Sequence, residues 1–255
     1  MRTPASWLFG IALFTSSCGA AVPGPASRAD PANGELVIFA AASLSGSLDT
    51  ICESFQRRHR GVHCRLNFAG TPTLVAQMRA GAAVDVFASA DAGNMETAVK
   101  EGLVHGPARP FARNQLEIAV AAGNPRHIRA LSDLGRPDVL FIAAAPTVPV
   151  GRYGAAALAA AGVTVHPRSE EADVRSVLGK VALGEADAGI VYVTDIRAAA
   201  LKISGVQIPA AQNVVATYPV ARAVDARNPA AADSFISYLL SPAAQSTLAS
   251  YGFTS

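Results

Sequence analysis

Along this chain, continuous apolar runs of strand length alternate with segments whose apolar residues recur at helical spacing. Leu36-Val-Ile-Phe-Ala40 is the first such run, and Leu44, Leu48, Ile51, Cys52 and Phe55 follow it. The pattern predicts a buried strand, a turn, and a helix whose N-terminus lies near Ser43. The unit then repeats. Cys64 to Phe68 reads as a strand, and Thr71-Pro72 opens a helix carrying Leu74, Val75 and Met78. Thr is a good N-cap, and Pro suits the first helical position because its missing N–H would be unpaired anyway. Val84 to Ala88 is a third strand, after which Asp91 caps a helix with Met95, Ala98, Val99 and Leu103.

The rhythm changes near Asn114. Leu116 to Ala121 is a strand followed by a Gly123-Asn-Pro125 loop, and Asp138 to Ala144 is another strand. Val148-Pro-Val-Gly151 leads into an Ala-rich helix over 153–161, and Asp173 begins a helix with Val174, Val177, Leu178 and Val181. Gly189 to Tyr192 is the next strand, Tyr218 to Ala221 is extended, and Ala230 to Leu240 and Ala243 to Tyr251 are terminal helices. Strands alternating with helices predict an α/β fold whose mostly parallel sheets are covered by helices on both faces.

The first thirty residues break this pattern. Arg2 precedes an apolar stretch from Trp7 to Phe14, and small residues run up to Cys18. That is a secretory signal over 1–17, too short to persist as a spanning helix. Thr15-Ser-Ser-Cys18 resembles a bacterial lipobox with Thr where Leu is usual, so Cys18 is the expected lipidated N-terminus. Ordinary cleavage near Ala20 or Ala21 is the alternative. Residues 18–35, rich in Ala, Pro, Gly and Ser, form a tether. Removing 1–17 takes away only Arg2, leaving 21 − 1 = 20 basic against 19 acidic residues. Such balance, with no basic run longer than Arg57-Arg58, argues against a nucleic-acid surface. The 51% hydrophobic content rules out a disordered chain. In an oxidising exterior, Cys52 and Cys64 either form a disulfide or stay as two separately buried thiols.

Catalytic signatures are missing. There is no G-x-S-x-G elbow, no phosphate loop of the G-x-x-x-x-G-K-[ST] type, and no G-x-G-x-x-G fingerprint. The five histidines are dispersed, and Gly61 separates His59 from His63. Glu170-Glu171 precedes a helix and reads as favourable dipole pairing. What remains is a set of helix N-termini preceded by hydroxyls or flexible turns, an arrangement suited to an anion.

Phe39-Ala-Ala-Ala-Ser-Leu44, Phe68-Ala-Gly-Thr-Pro-Thr-Leu74 and Asp85-Val-Phe-Ala-Ser-Ala-Asp91 resemble the periplasmic molybdate-binding proteins of bacterial ABC importers. The likeness continues through Val148 to Tyr153, Glu171 to Arg175, Gly184 to Tyr192, Tyr218 to Ala221 and Ser250 to Phe253. It implies a two-lobe periplasmic-binding-protein fold of type II, with crossovers near 114–118 and 216–220. Lobe 1 would combine 36–115 with 218–255, and lobe 2 would span 116–217. It also implies a monomer that binds and delivers molybdate or tungstate to a membrane permease, with no cofactor, no bond chemistry and no nucleic-acid partner. By position, Ser43 and Thr71 would give hydroxyls, Val150 and Val174 backbone N–H groups, and Tyr192 its phenol. No side chain would ligate the metal directly. Pro72 stands where the family often has a second Ser, so no donor is expected there. The rivals are a same-fold binder of another oxyanion such as sulfate, a hydrolase using Ser43, and a structural lipoprotein.

Overall fold

The computed structural model describes residues 33–199 and 202–254; the predicted signal and Cys18 lie outside them. Its elements begin with β1 (Gly34–Ala41), a 3₁₀ turn over Ala42–Leu44, and α1 (Ser45–Arg58). Next come β2 (Val62–Ala69), α2 (Thr71–Arg79), β3 (Val86–Ala88) and α3 (Ala92–Lys100). The long β4 (Arg109–Ala121) is followed by β5 (Phe141–Ala144), α4 (Pro149–Ala160), β6 (Glu170–Glu171) and α5 (Val174–Ala182). The remainder comprises β7 (Ala188–Tyr192), α6 (Val193–Ala199), β8 (Ile203–Gln207), β9 (Val215–Arg222), α7 (Pro229–Leu239) and α8 (Pro242–Tyr251).

Among the described residues the strands join in the order β2-β1-β3-β9-β4-β7-β5-β6, with β8 on β4. β1 pairs in parallel with β2 and β3, and β5 in parallel with β6 and β7. Every pairing made by β4 and β9 is antiparallel. The sheet is therefore mixed rather than mostly parallel, because two strands carry the chain between its halves. β4 changes partner in mid-course: Arg109 to Gln115 pair with β9, whereas Leu116 to Val120 pair with β7.

Alternation along β1 explains why both faces of its half are covered. Leu36, Ile38 and Ala40 join the main core with Leu48, Phe55 and Phe235, while Phe39 points the other way to Leu74, Met78, Phe87 and Met95. Neither face could stand exposed, since burying one such side chain is worth about 1.5–3 kcal/mol. The third strand is shorter than its apolar pattern because Asp85 turns inward. Its buried carboxylate accepts from Val37 N at 2.8 Å and Asn228 N at 2.8 Å, tying β1 to the start of α7.

Several boundaries differ from the sequence reading. β1 starts at Gly34, so Gly34 and Glu35 belong to the sheet rather than to the tether. Gly70, not Thr71, is the N-cap of α2, and Thr71 is its first residue. α4 begins at Pro149, four residues before the expected start. Glu170-Glu171 is a short edge strand, and Glu171 meets Lys180 Nζ at 2.6 Å; its charge is matched by a side chain rather than by a helix dipole. Cys52 and Cys64, expected either as a disulfide or as two separately buried thiols, are both free, Cys52 buried and Cys64 half-buried. The hydrogen bond with Cys64 and burial both push the Cys52 thiol well up, keeping it protonated. No helix among the described residues is long and apolar enough to cross a membrane.

Candidate functional site

Four chain reversals converge where the two halves of the sheet face each other. After β1 the chain enters the 3₁₀ turn without a capping side chain at Ala41. α2 and α4 likewise begin without side-chain caps, at Gly70 and Val148. Asp173 does cap α5, and its carboxylate accepts from Ser176 N at 2.9 Å. First-turn N–H groups have no partner within their own helix, so uncapped starts leave donors available to a ligand. Each helix also presents the positive end of its dipole there.

Ser43, Thr71, Val150, Val174 and Tyr192 all line one cavity at this convergence, with a free volume of about 10 Å³. That is far below the roughly 300–1,000 Å³ of sites for drug-sized ligands, so the occupant is small. No Lys or Arg lines it; Asp173 and Tyr192 are its ionisable members. Val150 and Val174 sit in the first turns of α4 and α5, where backbone N–H groups have no partner within the helix.

The hydroxyls are held from behind. Ser43 Oγ lies 2.9 Å from Tyr218 Oη, and Ala90 N donates to Thr71 Oγ1 at 3.4 Å. Tyr192 is different. Its Oη is buried and is the one buried side-chain polar atom among the described residues with no hydrogen-bond partner. Such an atom costs about 1–3 kcal/mol unless something arrives to meet it. Burial keeps the phenol protonated by raising its pKa well above the usual tyrosine value. Its backbone N–H donates to Asp195 Oδ2 at 2.9 Å, and burial pushes that carboxyl up to about 7.

Some residues here were not singled out from the sequence. Tyr218 and Asn114 stand behind Ser43, with Asn114 Nδ2 3.5 Å from Tyr218 Oη and 2.8 Å from Thr194 Oγ1. Arg152 of α4 pairs with buried Asp91, and Arg175 of α5 bonds Ser45 Oγ, both across the cleft. Only the placement of Tyr218 in a matched string hinted at the first group. Ser43 has a tyrosine rather than a histidine beside it, so the hydrolase arrangement is not assembled. His59, in turn, packs on Phe55 with ring centroids 4.4 Å apart. The described residues contain no cluster of His, Cys, Asp and Glu able to hold a metal ion.

Two half-sheets joined by crossing strands, with small-ligand donors at their junction, define a periplasmic-binding-protein architecture. The chain belongs to the bacterial extracellular solute-binding proteins, whose family model matches residues 36–254. It is 39% identical over 239 residues to the molybdate-binding protein ModA of Mycobacterium tuberculosis, covering 93% of this chain and 91% of that one. The periplasmic molybdate-binding protein of Azotobacter vinelandii superposes with a TM-score of 0.77 at 21% identity, over 86% of this chain and 99% of that one. The sulfate-binding protein SubI of M. tuberculosis gives 0.74 at 20% identity, with 86% of each chain covered.

Proposed function

We propose that this chain is an extracytoplasmic binding protein that captures molybdate between two lobes and delivers it to an ABC importer. The observation that carries the reading is the unpartnered Tyr192 hydroxyl, buried in a cavity shared with Ser43 and Thr71. Molybdate is fully ionised at neutral pH, so all its oxygens accept and none donates. Ser43, Thr71 and Tyr192 hydroxyls, with backbone N–H groups of the Val150 and Val174 turns, meet that demand without a fixed cation. Neutral donors also suit release, because no countercharge has to be broken away. The relatives named above as molybdate-binding support the same choice of anion.

Tungstate, nearly equal in size and charge, is the expected second ligand. Lobe 1 (36–115 and 218–255) and lobe 2 (116–217) close about the crossovers at 114–118 and 216–220, the signal to the permease. The precursor is exported by residues 1–17, then lipidated at Cys18 and tethered to the membrane as a monomer. An oxidising exterior would permit a bridge between Cys52 and Cys64.

Calorimetric titration with molybdate, tungstate, sulfate and phosphate tests the assignment. Molybdate and tungstate should bind and raise the melting temperature, with phosphate nearly silent. Tighter sulfate binding would reassign the anion, and a flat response to all four would remove the binding reading.

A further inference from the structure

A serine hydroxyl is not by nature a donor only. It rotates, and it could accept a hydrogen bond from a protonated anion as readily as it donates to a bare one. A cage of hydroxyls therefore discriminates against a protonated oxyanion only if something fixes the direction of each O–H.

The groups behind Ser43 do this through a chain of buried contacts. Gln115 N donates to Asn114 Oδ1 at 3.0 Å. A backbone N–H is only a donor, so the atom it meets must be the amide oxygen, which settles the orientation of the Asn114 side chain. Its Nδ2 therefore faces Thr194 Oγ1 at 2.8 Å and Tyr218 Oη at 3.5 Å. An amide nitrogen has no acceptor capacity. Tyr218 can then accept from Asn114 and give its own proton to Ser43 Oγ, 2.9 Å away and within hydrogen-bond distance, rather than to the Tyr192 phenol it also faces. Ser43 Oγ is thereby occupied as an acceptor on its inner side, and its proton is turned toward the cavity. Tyr218 is fully buried and cannot swing away, since its ring packs edge-on to Tyr192, Phe253 and Phe111 at 5.9, 5.4 and 6.4 Å.

We infer that Tyr218, oriented by Asn114, is a positioning residue that makes Ser43 an obligate donor and so sets the preference for unprotonated over protonated oxyanions. This rests on the binding function proposed above and adds to it a source of specificity outside the cavity wall. The other hydroxyls obey the same rule. The Ala90 N–H donates to Thr71 Oγ1 and fills one of its acceptor positions. Tyr192 Oη has no partner at hydrogen-bond distance, only a longer contact with the Tyr218 phenol, so its proton is free to turn to a ligand. Only Ser43 depends on a side chain that a substitution can silence.

The test compares two anions of equal charge and similar shape, fluorophosphate and monohydrogen phosphate, of which the first carries fluorine where the second carries a hydroxyl and its donor proton. Each is measured by competition against molybdate on the mature protein, at a pH where phosphate is the monoprotonated dianion. The unaltered protein should prefer fluorophosphate by about tenfold or more, the cost of one unmet buried hydrogen bond. In Tyr218→Phe that preference should fall toward unity, while molybdate binding weakens by about tenfold. Asn114→Leu, which withdraws the amide donor but leaves the phenol, should narrow the preference in the same direction and serves if Tyr218→Phe does not fold. A purely structural role would weaken both anions equally, and an unchanged ratio in a folded variant overturns the inference. Failure of the unaltered protein to bind any of these anions would instead remove the function on which the inference rests.

Discussion

Tyr192 ties stability and affinity together in opposite senses. Its hydroxyl is buried without a partner in this structure, so it weakens the free protein and strengthens the complex. Tyr192→Phe should leave the ligand-free melting temperature unchanged or higher. The same variant should lose about tenfold to hundredfold in molybdate affinity, as expected for one buried hydrogen bond. Paired melting curves with and without molybdate read both effects. Asp195, which caps the Tyr192 N–H, gives a pH signature. Burial raises its carboxyl to about 7 against 3.8, with the Tyr192 N–H and Arg175 lowering it and Asp173 raising it. Between those values the folded protein holds a proton that the unfolded chain has released. For this group, stability should therefore fall as pH rises from about 4 to about 7 and level off above. Urea unfolding across that range should show the decline, and Asp195→Asn, which keeps an acceptor for the Tyr192 N–H, should flatten it.

At the scale of elements, the starts of α2 and α5 press against each other. Gly70 adopts φ −58 and ψ 139, open to any residue, so conformational freedom is not its role. A Cβ there would strike the Ala172 carbonyl oxygen just before α5. Gly70→Ala should therefore change stability by under about 1 kcal/mol, as a poorer cap, yet keep the halves apart and weaken molybdate binding tenfold or more by titration. The sequence made β1, α2, α3 and the terminal helices legible, because unbroken apolar runs, apolar residues at helical spacing, and the Asp and Thr-Pro signals marked them. It did not disclose β8 (Ile203–Gln207), where only Ile203 is buried, or the first half of β4, whose polar Arg-Pro-Phe-Ala-Arg-Asn string is a strand only because β9 lies beside it. The start of α4 escaped for a related reason: Val148 carries no capping oxygen to announce it. Ser43, Thr71 and Tyr192 were legible as chemistry through the family strings. The Asn114–Tyr218 contact was not, since it joins residues 104 positions apart that only the crossing of β4 and β9 brings together.

Over the whole molecule, the two halves are held by more than the ligand site. Arg152, on α4, pairs with Asp91 at the cap of α3, and Arg175, on α5, reaches Ser45 at the start of α1. The two contacts leave from different helices of the second half and land on different elements of the first. Together they resist opening about the β4 and β9 crossovers. Asp91 is almost wholly buried but keeps Asn94 N and Asn94 Nδ2 as donors at 2.8 and 3.0 Å, so loss of the arginine would not leave it bare. The consequence should thus appear in the open–closed balance rather than in folding. An equilibrium between two arrangements shifts only by what an interaction gives to one and not the other. Arg152→Met keeps the apolar stem and removes the charge, so the closed form should lose about 1.4 kcal/mol, or tenfold in molybdate affinity, if the pair acts as a charge-assisted bond. Small-angle scattering of the ligand-free variant should give a larger radius of gyration that saturating molybdate restores, with the melting temperature of the complex lowered by only a few degrees. Adding Arg175→Met should open the free form further. An unaltered radius in both variants would mean that the two arginines decorate the cleft without closing it.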